Sequence, residues 1–281
     1  MTNHNCSATF PGANGLELYY QSWRSPDSAK AVVVLVHGHG AHSGIFPKLV
    51  EFLVQHDFIV YGFDLRGHGR SPGQRGYINS WEEYRGDLAA FLDLVQTQEP
   101  GLPLFIIGQS MGGIIALDYL LRPSNQLSSK ITGLILLAPA LGLYIAPWKL
   151  AIGKLLSRIY PRFALNAGID FATASRDPQV IAAKRQDSLR HGQGTARLAT
   201  ELLRAIAWVN HQGTELKTPL LLLHGAADRV TPADSSKIFW QNLPLTDKEI
   251  RLYPESYHEL HNDTNYLEVA TDIRNWLKKH L

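Results

Sequence analysis

The chain has one cysteine, Cys6, in 281 residues. No internal disulfide framework can form, so the fold must rest on a buried core, and the length is ample for one. Charge is also sparse. Only 19% of residues are Asp, Glu, Lys or Arg, the net charge is +2, and there is no long basic run. This argues against nucleic acid as the main partner. The opening MTNHNCSATF has no apolar core of the kind a secretory or lipoprotein signal needs, so a cytoplasmic protein is expected. No apolar run is long enough to span a bilayer. Repeats and low-complexity segments are missing too. Residues 141–167 hold Lys149, Lys154, Arg158 and Arg162, while the same stretch has no Asp or Glu.

What is present is organised around residues 102–113, LPLFIIGQSMGG. The apolar run 104–107 reads as a strand buried on both faces. Gly108-Gln109-Ser110-Met111-Gly112 fits G-x-S-x-G, and residues 114–121 read as a helix ending before Pro123. A strand, a sharp turn and a helix lift Ser110 Oγ clear of the sheet. They also aim the backbone N–H of Met111 at the place where an oxyanion would form.

Further buried strands are expected at 31–36, 58–63, 131–138, 219–224 and 249–253. A hairpin over 7–10 and 16–23 turns at Asn14-Gly15. Helices are expected at 45–56, 81–98 with Ser80 as N-cap, 234–242 and 264–280. Strands alternating with helices imply a mostly parallel sheet covered on both faces, with ligands beyond the carboxyl ends of its strands. From 141 to about 211 no strand-like run appears, and the stretch reads as helical with breaks at Pro147, Pro161 and Pro178. This divides the chain into a core of residues 1–140 and 212–281 and an inserted helical cap of 141–211.

A serine hydroxyl needs a base beside it, and the base needs a buried acceptor. Asp228 follows the penultimate strand and His258 the last one, giving the order serine, acid, histidine known on such sheets. His261 is the rival base. Asp247 and Asp263 are rival acids, expected to be solvated surface carboxylates. The loop 37–44, HGHGAHSG, offers the N–H of His39 as a second oxyanion donor. Gly38 and Gly40 let backbone approach a bound group. His37 and His42 are expected to shape the loop, with His42 bordering the substrate. No carboxylate or cysteine stands at ligand spacing from these histidines, so neither metal nor cofactor is expected. Asp64 and Arg66 read as a structural hydrogen-bonded loop.

These motifs carry a family resemblance. HGHGAHSG at 37–44, DLRGHGRS at 64–71, GQSMGG at 108–113, LLLHGAADRVTP at 221–232 and SYHELHND at 256–263 resemble the α/β-hydrolase superfamily. Within it they resemble the monoacylglycerol lipase and lysophospholipase-like group. The resemblance implies an eight-stranded α/β-hydrolase sheet with a helical cap. It implies Ser110 as nucleophile, Asp228 as acid, His258 as base, and His39 and Met111 as oxyanion donors. The implied substrate is a lipid acyl ester, most of all a monoacylglycerol. Lysophospholipase, general carboxylesterase, proline iminopeptidase-like peptidase and non-catalytic ligand receptor are the alternatives. Mammalian members carry Glu, Arg and Tyr where this chain has Ala41, Ile45 and Phe46. The cap should sheath the acyl chain, with Leu143 and Trp148 among its lining residues. Its apolar face and cationic rim also suit reversible contact with a membrane surface.

Overall fold

Ala31–Val36 (β3) alternates between two apolar layers. Val32, Val34 and Val36 join one cluster, whereas Ala31, Val33 and Leu35 join the other. A strand whose successive side chains point to opposite faces must be apolar throughout when both faces are covered. The computed structural model describes residues 4–25, 29–122, 128–143, 147–166 and 171–281, and of these all side chains except those of 4, 128, 147–150 and 171.

Eight strands form the sheet. They are His4–Pro11 (β1), Glu17–Arg24 (β2), β3, Phe58–Phe63 (β4), Leu104–Gln109 (β5), Ile131–Leu137 (β6), Leu220–Gly225 and Lys248–Tyr253. Their spatial order is β1-β2-β4-β3-β5-β6 followed by Leu220–Gly225 and Lys248–Tyr253. The pairs β1/β2 and β2/β4 are antiparallel, and every later pair is parallel. In register, Val34 faces Ile106 and Ile106 faces Leu134 across the centre. Pro47–Val54 (α1) covers one face, and Glu82–Gln98 (α2) and Met111–Leu120 (α3) the other.

Residues 141–211 insert between β6 and the seventh strand of the sheet. They hold Pro147–Ile159 (α4), Ala164–Asn166 (β7), Pro178–Gln186 (α5), Gln193–Thr195 (β8) and most of Ala196–Gln212 (α6). After them come Leu220–Gly225 (β9), Ala233–Asn242 (α7), Lys248–Tyr253 (β10) and Tyr266–Lys279 (α8). The stretch is not wholly helical, contrary to the expectation from its sequence. Ala164, Leu165 and Asn166 pair antiparallel with Thr195, Gly194 and Gln193. Strands of three residues are too short for a period-two pattern to show. Two helix starts also differ from expectation. Ser43–Ile45 is a separate 3-10 turn before α1, and α2 begins at Glu82 with Trp81 at its N-cap and no side-chain cap from Ser80. Among the described residues no helix is long and apolar enough to cross a membrane.

Candidate active site

Ser110 stands between the end of β5 and the start of α3 with φ 53° and ψ −120°. This is a strained conformation for a residue with a Cβ, and neighbouring bonds impose it. Ser110 N donates to Leu137 O at 3.0 Å, and its carbonyl accepts from Gly113 N at 3.0 Å and Ala140 N at 3.1 Å. Helix α3 can begin so close to β3 only because Gly112 lacks a side chain. A Cβ there would fall 2.1 Å from Val36 O. Met111 is the first residue of α3, where backbone amides have no intrahelical acceptor.

The loop after β3 closes one side of the serine. A Cβ on Gly38 would lie 2.9 Å from Ser110 Cβ, so the two backbones are in close approach. Gly40 has φ 68° and accepts from His191 N at 3.1 Å, which ties this loop to the inserted segment. His37 spans the loop base, with Nδ1 against Gly38 O at 2.8 Å and Nε2 accepting from Leu65 N at 3.0 Å. His42 lies away from the cleft. Its Nδ1 accepts from Gly44 N at 3.1 Å and its Nε2 meets Asp187 Oδ2 at 2.8 Å. The loop-shaping expectation for both rings therefore holds, and the His42 ring has no nitrogen left for a ligand. Asp64 accepts from Ser43 N, Ser43 Oγ and Arg70 N, and Arg66 pairs with Asp87, as structural roles require.

His258 Nδ1 lies 2.7 Å from Asp228 Oδ2. The Asp228 carboxylate also accepts from Val230 N at 2.7 Å, Thr231 N at 3.1 Å and Thr231 Oγ1 at 2.9 Å, and His224 Nε2 lies 3.2 Å away. Burial works against its charge. The facing His258 ring and the His224 contact, through charge and hydrogen bonding, outweigh burial and hold the carboxyl well below the usual carboxylate range. The rivals stand elsewhere. His261 is 1% exposed, its ring is 4.4 Å from that of Phe46, and neither nitrogen has a partner among the described residues. Burial pushes its pKa down to about 3. Asp263 is not solvated. It is fully buried and accepts from Arg176 N, Tyr257 N and Thr264 N. Asp247 is half exposed and pairs with His280 at 3.1 Å.

One cleft brings the pieces together. It is bordered by His39, Gly40 and Ala41, by Gln109 and Ser110, by Val230, by His258 and Glu259, and by Lys184, Arg190, His191 and Gly192 of the inserted segment. Leu143 packs against the core instead, and the side chain of Trp148 lies outside the described residues. Sequence reading missed four participants. Thr231 and His224 flank Asp228, while Lys184 and Arg190 meet Glu259 across 75 and 69 positions of chain. Among the described residues no group of histidine, cysteine and carboxylate side chains can hold a metal.

A strained serine beside an oxyanion-type loop and a carboxylate-held imidazole can perform acyl transfer. The comparisons agree. The chain is 30% identical over 276 residues to the monoacylglycerol lipase of Mycolicibacterium smegmatis, covering 97% of each. It is 30% identical to the human monoglyceride lipase, covering 95% of this chain and 88% of that one. The crystal structure of Paleococcus ferrophilus monoacylglycerol lipase superimposes with a TM-score of 0.83 at 33% identity, over 95% of this chain and all of that one. The family described as serine aminopeptidase, S33, matches residues 27–265. The chain therefore belongs to this serine hydrolase family of the α/β-hydrolase fold.

Proposed function

We propose that this chain hydrolyses the carboxylic ester of monoacylglycerols, with Ser110, Asp228 and His258 as its catalytic triad. The observation that carries this reading is the 2.7 Å contact of His258 with Asp228 in the cleft that Ser110 also borders. Ser110 Oγ attacks the ester carbonyl carbon while His258 Nε2 takes the hydroxyl proton. The bond to glycerol oxygen then breaks, and the imidazolium returns the proton to that oxygen. Water, deprotonated by the same ring, attacks the acyl-enzyme and releases the fatty acid. Charge on the carbonyl oxygen is received by the backbone N–H groups of His39 and Met111. Losing one such donor typically costs ~3 kcal/mol of transition-state stabilisation. None of these steps calls for a metal or an organic cofactor.

An ester suits the cleft better than an amino-terminal peptide does. An aminopeptidase must hold an ammonium group. Among the described residues bordering the cleft, Glu259 is the only carboxylate, and Lys184 and Arg190 already pair with it. Residues 141–211 then act as the cap. Its α4 presents Ile152, Leu155 and Ile159 outward at helical spacing, and Tyr160, Phe163 and Leu165 follow, each at least half exposed. Such a surface, set among Lys154, Arg158 and Arg162, suits docking on the membrane that holds the substrate.

The test is turnover of 1-oleoylglycerol by wild type and by Ser110→Ala. The variant should keep its circular-dichroism spectrum and lose activity at least a thousandfold. Retained activity in the folded variant would remove Ser110 from its role.

A further inference from the structure

His224 is a buried polar residue that the three triad members do not account for. It follows four leucines in β9 and is fully buried, at a place where packing alone would be served by another apolar side chain. Its ring lies between α7 and the turn that carries Asp228. Nδ1 is 2.8 Å from Ser236 Oγ, and Nε2 is 3.2 Å from both Thr231 O and Asp228 Oδ2. A carbonyl and a carboxylate accept hydrogen bonds and cannot donate them. Nε2 therefore carries the proton. The Ser236 hydroxyl, which is fully buried as well, donates to Nδ1 and so selects this tautomer.

The two acceptors that face Nε2 belong to one device. Asp228 Oδ2 is the oxygen that meets His258 Nδ1 at 2.7 Å, and Thr231 Oγ1 reaches it at 2.9 Å. Thr231 O belongs to the residue whose N–H and hydroxyl both bind Asp228. Val230 N and Thr231 N serve Oδ1, which leaves Oδ2 turned to the two rings. A carboxylate held this way cannot rotate out of the His258 contact without leaving a buried donor unpaired. The backbone beside His224 carries the His258 loop too. A Cβ on Gly225 would fall 2.2 Å from Ser256 O, so the strand end and that loop are in close approach.

We propose that His224 is a positioning residue for ester hydrolysis, its Nε2–H holding the Asp228 carboxylate toward His258 and Ser236 holding the tautomer that makes this possible. The inference rests on the proposed triad and adds a second imidazole to its acid. His224 does not border the cleft, so it acts through Asp228 and touches no substrate. When His258 takes the serine proton, the carboxylate must stay ionised and aligned to stabilise the imidazolium. The Nε2–H serves both needs and transfers no proton itself. Its loss should therefore slow the chemical step and leave ester binding unchanged.

The experiment measures pre-steady-state acylation by p-nitrophenyl butyrate, with melting temperatures, in the wild-type and Asp228→Asn backgrounds. In the wild-type background His224→Leu should lower the limiting acylation rate about thirtyfold and leave the half-saturating ester concentration within about twofold. His224→Gln can place an amide N–H near the position of Nε2, and should recover about tenfold of that loss. In Asp228→Asn, His224→Leu should cost less than about twofold, because its effect passes through the carboxylate. Equal fold-losses in the two backgrounds would make His224 a packing residue and overturn the proposal. A His224→Leu enzyme as fast as wild type, or a His224→Gln enzyme no faster than His224→Leu, would overturn it as well. If His224→Leu does not fold, Ser236→Ala takes its place: it keeps the ring, removes the donor to Nδ1 and should slow acylation about threefold, and an unchanged rate would overturn the proposal. If Asp228→Asn acylates as fast as wild type, the triad itself fails, and the role of His224 with it.

Discussion

The ring centroids of His68 and His191 lie 4.7 Å apart, one imidazole from the loop after β4 and the other from the inserted residues 141–211. His39 joins them at 5.6 and 5.5 Å, and His37 reaches His68 at 5.6 Å. Burial pushes His37 and His39 down to about 4, and lowers His68 and His191 as well, each ring further opposed by its neighbours or by Arg75. Residues 141–211 therefore meet the 37–44 loop at a cluster of four rings whose burial disfavours the charged form.

This arrangement sets the acid sensitivity. A histidine whose folded pKa is depressed binds fewer protons in the native than in the unfolded chain, so its contribution is complete above the unfolded value near 6.5. It is lost progressively as pH falls from about 6.5 toward 4. His37 and His39, both pushed down to about 4, each remove about 1.4 kcal/mol of stability per pH unit within that window. Urea unfolding between pH 7.5 and 5 should show midpoints falling steeply below about pH 6.5. His191→Phe should reduce the slope, because burial lowers the pKa of this ring. A midpoint independent of pH over this range would contradict the uncharged cluster.

The two histidines of the 256–263 loop should separate cleanly. His258→Ala is expected to lower kcat by at least a thousandfold with little change in melting temperature. His261 fills a buried site against Phe46, so His261→Ala should cost about 2 kcal/mol of stability and leave the folded fraction active. Melting curves and active-site titration of both variants check this. A stable but inactive His261→Ala would reverse the assignment.

The strands of the core and the proposed triad residues were legible in the sequence because their signals are local. Continuous apolar, Val-rich runs such as 31–36 name the buried strands, and the elbow at 108–112 carries its own turn chemistry. Ser110, Asp228 and His258 each follow a strand, so their meeting at one end of the sheet follows from topology. What was hidden depends on partners distant in the chain. Asp263 reads as a surface carboxylate until Arg176 and the amides of Tyr257 and Thr264 surround it. Lys184 and Arg190 carry no motif at all, and only the fold of the cap brings them to Glu259. The pairing of β7 with β8 is a contact between two segments too short to have a period.

Asp228→Asn tests the hydrogen-bond shell of the acid. An amide at this position would offer an N–H to His258 Nδ1 or to the donors Val230 N, Thr231 N and Thr231 Oγ1, and so favours the unproductive imidazole tautomer. The rate should fall by about ten-thousandfold. Thr231→Val removes one of these donors and should give a much smaller loss, about tenfold. Pre-steady-state acylation with p-nitrophenyl butyrate compares the two variants directly. Equal losses would mean that the shell, rather than the carboxylate charge, sets the rate.

The outward stripe of α4 leads to the last expectation. Ile152, Leu155 and Ile159 recur at intervals of three and four residues, so they share one helical face. That face is turned to solvent, while Ser157 on the other side is buried and α4 packs against α6. A helix that only lined an acyl tunnel would bury its apolar stripe. Here the exposed residues continue through Tyr160, Phe163 and Leu165, and Lys154, Arg158 and Arg162 are interleaved with them. Apolar insertion and attraction to anionic lipid should act together. Co-sedimentation with vesicles containing phosphatidylglycerol should be strong at low salt and weaken as salt rises, because a Debye length of about 10 Å at 0.1 M screens the cationic rim. Replacing Leu155 and Phe163 by Ser should reduce binding at least tenfold while leaving hydrolysis of soluble p-nitrophenyl butyrate within twofold, since neither side chain borders the catalytic cleft. Binding that survives this double replacement would place the docking surface elsewhere on the cap. No binding by wild type at low salt would leave the exposed stripe without a membrane role.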